Sequence, residues 1–130
     1  MATPHAVVVV DDQVPFRTAA KAVLRRLACF ELAGEASSGP EAIELVDSVR
    51  PALVLMDINM PDMNGIEATR RIVSAHPEVV VFLCSTYDVA DLPPGAADSG
   101  ASAYLNKERL GADTLRRLWQ NRDSGLFNAL

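Results

Sequence analysis

Polar side chains stand at the ends of four apolar runs in this sequence. Asp11 and Asp12 follow the run AVVVV, Asp57 follows ALVLM, Ser85 and Thr86 follow VVVFLC, and Lys107 follows SAYL after one intervening asparagine. Each run has the length and the apolar content of a buried β-strand. Because ligand sites of open parallel sheets lie outside the carboxyl ends of their strands, we expect these polar groups to meet at one edge of a sheet.

Three carboxylates and one ammonium group at one edge do not form a stable set on their own. Like charges raise the pKa values of neighbouring carboxyl groups unless a counter-ion balances them. A divalent cation with oxygen ligands, Mg²⁺ above all, would balance the charge, and in proteins it usually serves phosphate chemistry. Lys107 would then offer a positive charge to an anionic oxygen and Ser85 a hydroxyl donor, while one carboxylate acts as the nucleophile that forms an aspartyl phosphate.

Each of these residues also has an ordinary structural interpretation. A single aspartate after a strand, such as Asp57, is more often a turn or cap residue, and Asp11 and Asp12 could cap the helix that follows them. Lys107 alone would be a solvated lysine, and Ser85 alone a loop hydroxyl. The agreement of four separate strand ends at a ligand-binding edge favours the functional interpretation.

The apolar runs indicate five strands. They cover 6–10, 30–36, 52–56, 79–84 and 102–105. The first, third and fourth runs do not alternate with polar residues, which is typical of central parallel strands covered on both faces. The other two runs are weaker, and we expect them at the edges of the sheet.

Segments with helical periodicity lie between these runs. The first covers 15–28, the second begins at Pro40, the third covers 65–75, and the last has Asp113 as its N-cap. In the first, Phe16, Val23 and Leu24 fall on one apolar stripe, while Arg17 and Lys21 are left for solvent. Five strands that alternate with five helical segments predict right-handed crossovers and a doubly wound parallel sheet with helices on both faces.

The fourth helical segment, DVADLPPGAADSGA at 88–101, is predicted to be disrupted. Pro93 and Pro94 remove backbone donors and clash with the preceding turn, at a cost of roughly 3 kcal/mol or more each in a helix interior. We expect a loop here, followed by a short helical turn near 96–99.

Composition limits the function further. A chain of 130 residues is long enough for one domain, and its net charge of -5 with scattered Lys and Arg argues against direct nucleic-acid binding. The sequence has no secretory signal. It also has no apolar stretch that approaches the length of a membrane helix, about 18 residues. We therefore expect a cytoplasmic protein in which Cys29 and Cys84 are reduced and buried.

The sequence closely resembles the receiver domain of two-component response regulators over nearly its whole length. The motifs VVVVDDQ, LVLMDINMPDMNGIEATRRI, VVVFLCSTYD and GASAYLNK occur in the family's order. The resemblance implies that residues 1–130 form a single receiver domain with a flavodoxin-like α/β fold, a five-stranded parallel sheet of order 2-1-3-4-5, and a disrupted fourth helix. It also implies a phosphorylation-dependent switch that takes a phosphoryl group from a sensor histidine kinase.

Residue by residue, the resemblance implies the following roles. Asp57 is the phosphoacceptor, Asp12 and Asp57 are direct Mg²⁺ ligands, Asp11 acts through water, and Asn59 adds its backbone carbonyl. Lys107 holds a phosphoryl oxygen, Ser85 is the switch hydroxyl, and Tyr104 is the aromatic that changes rotamer with it. The positions of Asn59 and Tyr87 tune the lifetime of the phosphate. Tyr104 could equally be a half-buried ring on an edge strand.

Three departures from the family pattern bear on function. Glu108 follows Lys107 where many receivers have proline, so we expect no cis bond there. The disrupted fourth helix belongs to the family's usual signalling face. The middle motifs look most like the subgroup with a carboxyl-terminal helix-turn-helix domain, whereas this sequence ends at Leu130, as a stand-alone or truncated receiver without that output domain would.

Two other functions are open at this point. A Mg²⁺-dependent phosphohydrolase with an aspartyl nucleophile would want a second carboxylate two residues after Asp57, where Asn59 stands. A pseudo-receiver that binds partners without phosphorylation is disfavoured by the complete acidic set. We expect no enzyme activity beyond the chain's own phosphorylation and dephosphorylation. The sequence leaves the target and the oligomeric state open, a homodimer included.

Overall fold

The structure is a computed structural model that describes residues 3–130, and its centre is a parallel sheet. The strands are β1 (His5–Val10), β2 (Phe30–Ala36), β3 (Leu53–Asp57), β4 (Val80–Ser85), β5 (Ala103–Asn106) and β6 (Asn128–Ala129), in the spatial order β2-β1-β3-β4-β5-β6. Apolar side chains, many of them β-branched, fill β1, β3 and β4, which have helices on both faces. This is the predicted arrangement for continuous apolar strands.

Four α-helices cover the two faces of the sheet. They are α1 (Val14–Arg25), α2 (Gly39–Val49), α3 (Gly65–Ala75) and α4 (Ala112–Gln120). α2 and α3 pack on one face through Val46 and Ile72, and α1 and α4 pack on the other through Leu24 and Leu115. The predicted flavodoxin-like fold with the order 2-1-3-4-5 is therefore confirmed. Within residues 3–130, every helix is too short or too polar to cross a membrane.

The prediction of five strands is wrong, because Asn128 and Ala129 add a sixth. β6 runs parallel to β5, with the backbone N–H of Leu130 donating to the carbonyl of Tyr104 at 3.0 Å. β5 is therefore covered, and the edges of the sheet are β2 and β6. A strand of two residues is too short to have a periodicity in the sequence, so it can be identified only from its pairing with the neighbouring strand.

The ends of two helices differ from the predicted ones. α1 ends at Arg25 instead of residue 28, because the N–H groups of Arg26 and Leu27 bond three residues back in a tighter turn. Asp113 is not the cap of α4. The helix starts at Ala112 after Gly111, and the Asp113 carboxylate accepts from Nη1 of Arg116 at 2.8 Å. α3 has the predicted bounds, with the Asn64 side chain accepting from the N–H of Glu67.

The segment 88–101 is disrupted, as the two prolines predict. It holds one turn of 3₁₀-helix at Val89–Asp91, and the rest is irregular. The short helical turn expected near 96–99 is only partly formed: the N–H of Asp98 bonds the carbonyl of Gly95 and the N–H of Ser99 bonds that of Ala96, as two overlapping turns without regular helix. Gly95 has a φ of 89°, which right-handed helix excludes.

The two cysteines differ in exposure. Cys84 lies in β4 and is fully buried, as predicted, whereas Cys29 is exposed in the turn before β2. Both carry free thiols. The expectation that Cys29 is buried is wrong, because composition says which side chains are apolar and not where a turn places them.

Candidate functional site

Asp57 is held at the end of a completely buried strand. It is the last residue of β3, which lies between β1 and β4, and it is 2% exposed. α3 begins close beneath it, with the N–H of Gly65 donating to the carbonyl of Ile58 at 2.8 Å. A Cβ atom on Gly65 would lie 1.9 Å from the backbone oxygen of Asp57. Glycine is therefore the residue that lets the loop after β3 close against the strand.

Lys107 bridges two buried aspartates. Its Nζ lies 2.6 Å from Oδ2 of Asp11 and 3.1 Å from Oδ1 of Asp57. Asp11 comes directly after β1 and is fully buried, and Lys107 comes directly after β5. The ring of Phe16 on α1 lies 4.7 Å from the same Nζ atom, a cation–π distance. The strand ends meet as the sequence predicts, and the chemical roles of these residues stay predictions.

A third carboxylate completes an acidic cluster. Asp11, Asp12 and Asp57 each offer an oxygen, and these oxygens lie within 4.8 Å of one another. With the ammonium of Lys107 the cluster carries three negative charges and one positive charge, a net of about -2, which a divalent cation balances. A cluster of carboxylate oxygens fits Mg²⁺ better than a softer metal. Asn59, predicted to add a carbonyl ligand, lies exposed two residues after Asp57.

The charges and the burial of this cluster shift two pKa values. Burial, reinforced by the charge of Asp11, raises the pKa of Asp57 to about 6 in spite of the opposing charge of Lys107. Burial alone would lower the pKa of Lys107, but its hydrogen bond to Asp11 and the charge of Asp57 outweigh this and raise it. At neutral pH Asp57 is therefore mostly ionised and Lys107 is charged.

The raised pKa of Asp57 predicts how stability depends on pH. The folded protein binds the Asp57 proton more tightly than the unfolded chain, so stability is lost as pH rises from the ordinary value of 3.8 through about 6. In metal-free protein, Asp57→Asn should raise the free energy of unfolding by about 3 kcal/mol at pH ~7 and hardly change it at pH ~3.5. Urea unfolding with a chelator measures both. A pH-independent difference would contradict the shift, and Asp123→Asn, on an exposed carboxylate, is the control.

A hydrogen-bonded chain links the predicted switch residues on the other side of the site. The amide of Asn59 donates from Nδ2 to Oγ of Ser85 at 3.3 Å, and the Tyr87 hydroxyl donates to Oδ1 of Asn59 at 3.2 Å. The hydroxyl of Tyr104 donates to the backbone carbonyl of Tyr87 at 2.7 Å. Burial raises the pKa of Tyr104 to about 12, so it stays a neutral donor. Its ring is fully buried instead of half-buried, because β6 covers β5.

Asp11 combines a turn role with a place in the cluster. Its Oδ1 accepts from the N–H of Gln13 at 2.8 Å, while its Oδ2 contacts Lys107. Gln13 is the N-cap of α1, and its side chain makes no capping hydrogen bond. The alternative that the two aspartates cap α1 is therefore not what the structure shows.

Two residues of the site were not recognised from the sequence. Arg17, expected in solvent, donates from Nη1 to the backbone carbonyl of Asp11 and from Nε to Glu35 at 3.1 Å. Hydrogen bonds and charges from Lys21 and Arg17 lower the pKa of Glu35. Asn106 donates to the carbonyl of Tyr87 at 3.1 Å. Helical periodicity assigns Arg17 to the polar side of α1 but does not show that this side faces the end of β1.

Comparison with known proteins extends these observations. A family model described as "Response regulator receiver domain" matches residues 7–119. Among curated relatives, the transcriptional regulatory protein DegU of Brevibacillus brevis is 39% identical over 109 residues, which are 84% of this chain and 46% of the relative. The nitrate/nitrite response regulator protein NarL of Escherichia coli is 34% identical over 119 residues, 90% of this chain and 54% of the relative. The chain spans about half the length of these two relatives.

Solved structures have the same fold. The response regulator domain of Thermotoga maritima CheB superimposes with a TM-score of 0.82 at 25% identity and covers 93% of this chain and 98% of that one. The signal receiver domain of the putative response regulator NarL from Mycobacterium tuberculosis gives a TM-score of 0.80 at 25% identity, with 95% and 99% covered. In both cases the similarity extends over nearly the whole of each chain.

Proposed function

The chain belongs to the family of response regulator receiver domains, and we propose from this that Asp57 accepts a phosphoryl group in a Mg²⁺-dependent reaction. The observation that carries the proposal is the contact of one ammonium group, Lys107, with two buried carboxylates, Asp11 and Asp57, beside a third. Such a cluster has the charges to hold a divalent cation and, with it, a phosphoryl group.

The proposed metal ligands are oxygens of Asp12 and Asp57, with Asp11 acting through a water molecule and Asn59 through its backbone carbonyl. Support comes from the distance between the carboxylates, whose oxygens lie within 4.8 Å of one another. When bound there, Mg²⁺ would supply positive charge to the phosphoryl oxygens. Asp11 would also hold Lys107 in place through the contact at 2.6 Å.

In the transfer step, an ionised oxygen of Asp57 forms a bond to phosphorus while the bond from phosphorus to the donor breaks, and that electron pair leaves with the donor. Lys107 lies 3.1 Å from Asp57 and would hold one oxygen of the transferred group. A pKa near 6 leaves the Asp57 carboxylate ionised at neutral pH and therefore able to attack. The donor we propose is the phosphohistidine of a sensor histidine kinase.

We propose that the phosphorylated state is relayed through Ser85 and Tyr104. Ser85 accepts a hydrogen bond from Asn59, which lies two residues beyond the phosphoacceptor and accepts one from Tyr87. Tyr104 donates to the carbonyl of Tyr87, so Ser85 and Tyr104 lie on one chain of hydrogen bonds. A phosphoryl group that draws the Ser85 hydroxyl toward it would break the Asn59 contact. A shift of the population from 1:99 to 99:1 needs about 5.5 kcal/mol of preference for one state.

The proposed function has a direct test. With Mg²⁺ and a small phosphodonor such as acetyl phosphate, the wild-type protein should gain the mass of one phosphoryl group, in a linkage that hydroxylamine cleaves. With a chelator it should gain none, because the carboxylates would then repel the donor. Amide NMR shifts around Ser85 and Tyr104 should change with the mass. A protein that stays unmodified under both conditions would contradict the proposal and favour a pseudo-receiver.

The remaining parts of the proposal concern the context of the domain. We propose that residues 1–130 form one cytoplasmic receiver domain that acts on a downstream target without direct nucleic-acid contact. Its reaction is its own phosphorylation and dephosphorylation. Relatives named protein-glutamate methylesterase match this chain over only about a quarter of their own length, and in one of them the match covers 80% of this chain.

A further inference from the structure

We infer that Asn106 is a positioning residue that holds Lys107 in reach of the phosphoryl group. This rests on the proposed function, because it assigns Asn106 a part in the same reaction. Asn106 is the last residue of β5 and directly precedes Lys107. It stands opposite Ser85 in the register of β4 and β5.

The Asn106 side chain ties two loops together. Its Nδ2 donates to the backbone carbonyl of Tyr87 at 3.1 Å, in the loop after β4. Its Oδ1 accepts from the N–H of Glu108 at 2.9 Å and so caps the single turn of 3₁₀-helix at Lys107–Arg109. Both halves of the amide are therefore used, one to fix the turn that contains Lys107 and the other to anchor that turn to the loop after β4.

The carbonyl of Tyr87 is a shared anchor. It accepts from Asn106 and also from the hydroxyl of Tyr104 at 2.7 Å. The side chain of Tyr87 in turn reaches Asn59. Through the carbonyl and the side chain of Tyr87, the turn that carries Lys107 is connected to the loop that follows Asp57.

Lys107 needs such an anchor because its own side chain is long and flexible. Ordering a lysine side chain costs rotamer entropy, and a displaced backbone would add to that cost. β5 has four residues, and the strand that covers it, β6, has two. The backbone N–H of Asn106 also donates to the carbonyl of Leu130 at 2.8 Å, so even this short edge is attached at Asn106.

Asn106→Ala should therefore lower the rate of phosphorylation by acetyl phosphate about tenfold, since small displacements of a positioned charge cost one to two orders of magnitude. Mg²⁺ affinity, measured by NMR titration, should change less than about twofold, because the hydrogen bonds of Asn106 go to Tyr87, Glu108 and Leu130 and to none of the three carboxylates. Asn121→Ala is the matched control, since Asn121 is an exposed asparagine that donates to the carbonyl of Arg117 at 3.0 Å. It should keep the wild-type rate.

A double mutant separates positioning from general damage. If Asn106 acts through Lys107, adding Asn106→Ala to Lys107→Met should lower the remaining rate no further. Independent, multiplicative losses would overturn the inference, and so would a wild-type rate in Asn106→Ala. Asn106→Ser keeps a cap for Glu108 but is too short to reach Tyr87, and we expect its rate between those of wild type and the alanine variant. It replaces Asn106→Ala if that variant does not fold.

The outcomes also separate this inference from the function on which it rests. If the wild-type protein takes no phosphoryl group, the proposed function fails. If the wild type is phosphorylated and Asn106→Ala is phosphorylated equally fast, only the role of Asn106 is wrong.

Discussion

Replacing Asp57 with asparagine should abolish phosphorylation by a small phosphodonor in the presence of Mg²⁺. The amide has nearly the same shape as the carboxylate but no negative charge and no nucleophilic oxygen, so the rate should fall by at least about a thousandfold. In the wild type, repulsion between the Asp11 and Asp57 carboxylates helps to raise the pKa of Asp57, and the substitution should remove that repulsion. Intact mass after a timed incubation measures the loss directly.

The control for this experiment is Asp123→Asn. Its carboxylate side chain is 88% exposed and has one distant contact, at 3.9 Å, with Arg122. It should be phosphorylated at the wild-type rate. Equal labelling of Asp57→Asn and wild type would overturn the assignment of the phosphoacceptor, and peptide mapping would then show whether Asp11 or Asp12 had taken the group.

Replacing Gly65 with alanine should destabilise the protein by about 3 kcal/mol, because the new Cβ would overlap backbone atoms. It would lie 1.9 Å from the backbone oxygen of Asp57, 2.8 Å from its carbonyl carbon and 3.0 Å from the Cα of Ile58, and none of these is a flexible side-chain end. α3 would have to move away from β3 and lose the hydrogen bond from Gly65 to Ile58 at 2.8 Å. Urea unfolding with circular dichroism measures the change.

The displacement of α3 in Gly65→Ala should also slow phosphorylation, because the backbone against which it packs belongs to Asp57, the phosphoacceptor. Gly111→Ala is the matched control: a Cβ there meets no atom within 4 Å, and the φ of -177° suits any residue. We expect it to cost less than about 1 kcal/mol, the usual scale for a change at a helix N-cap. If Gly65→Ala were as stable as Gly111→Ala, α3 would have moved at no measurable cost in stability, and the prediction would be wrong.

Much of the fold could be read from local patterns. The three valine-rich runs predict β1, β3 and β4, and the helical period at 65–75 predicts α3 with its observed bounds. Pro93 and Pro94 predict the interruption near 88–101 because proline excludes helix for a local reason. The sixth strand escaped prediction because it depends on which distant backbone lies alongside. The N-cap of α4 and the exposure of Cys29 escaped it because residue type alone does not fix where a helix starts or which way a turn faces.

The functional site, too, could be predicted from the sequence only in part. The polar residues that end the central strands can be identified in the sequence, because a strand interior must be apolar and a parallel sheet brings its carboxyl ends together. The packing of the layers places Lys107 between Asp11 and Asp57, directs Arg17 toward the site and anchors Asn106 on Tyr87. Lys107 and Asp11 are 96 residues apart, and a contact over such a separation depends on how whole layers pack, which periodicity along the chain does not contain.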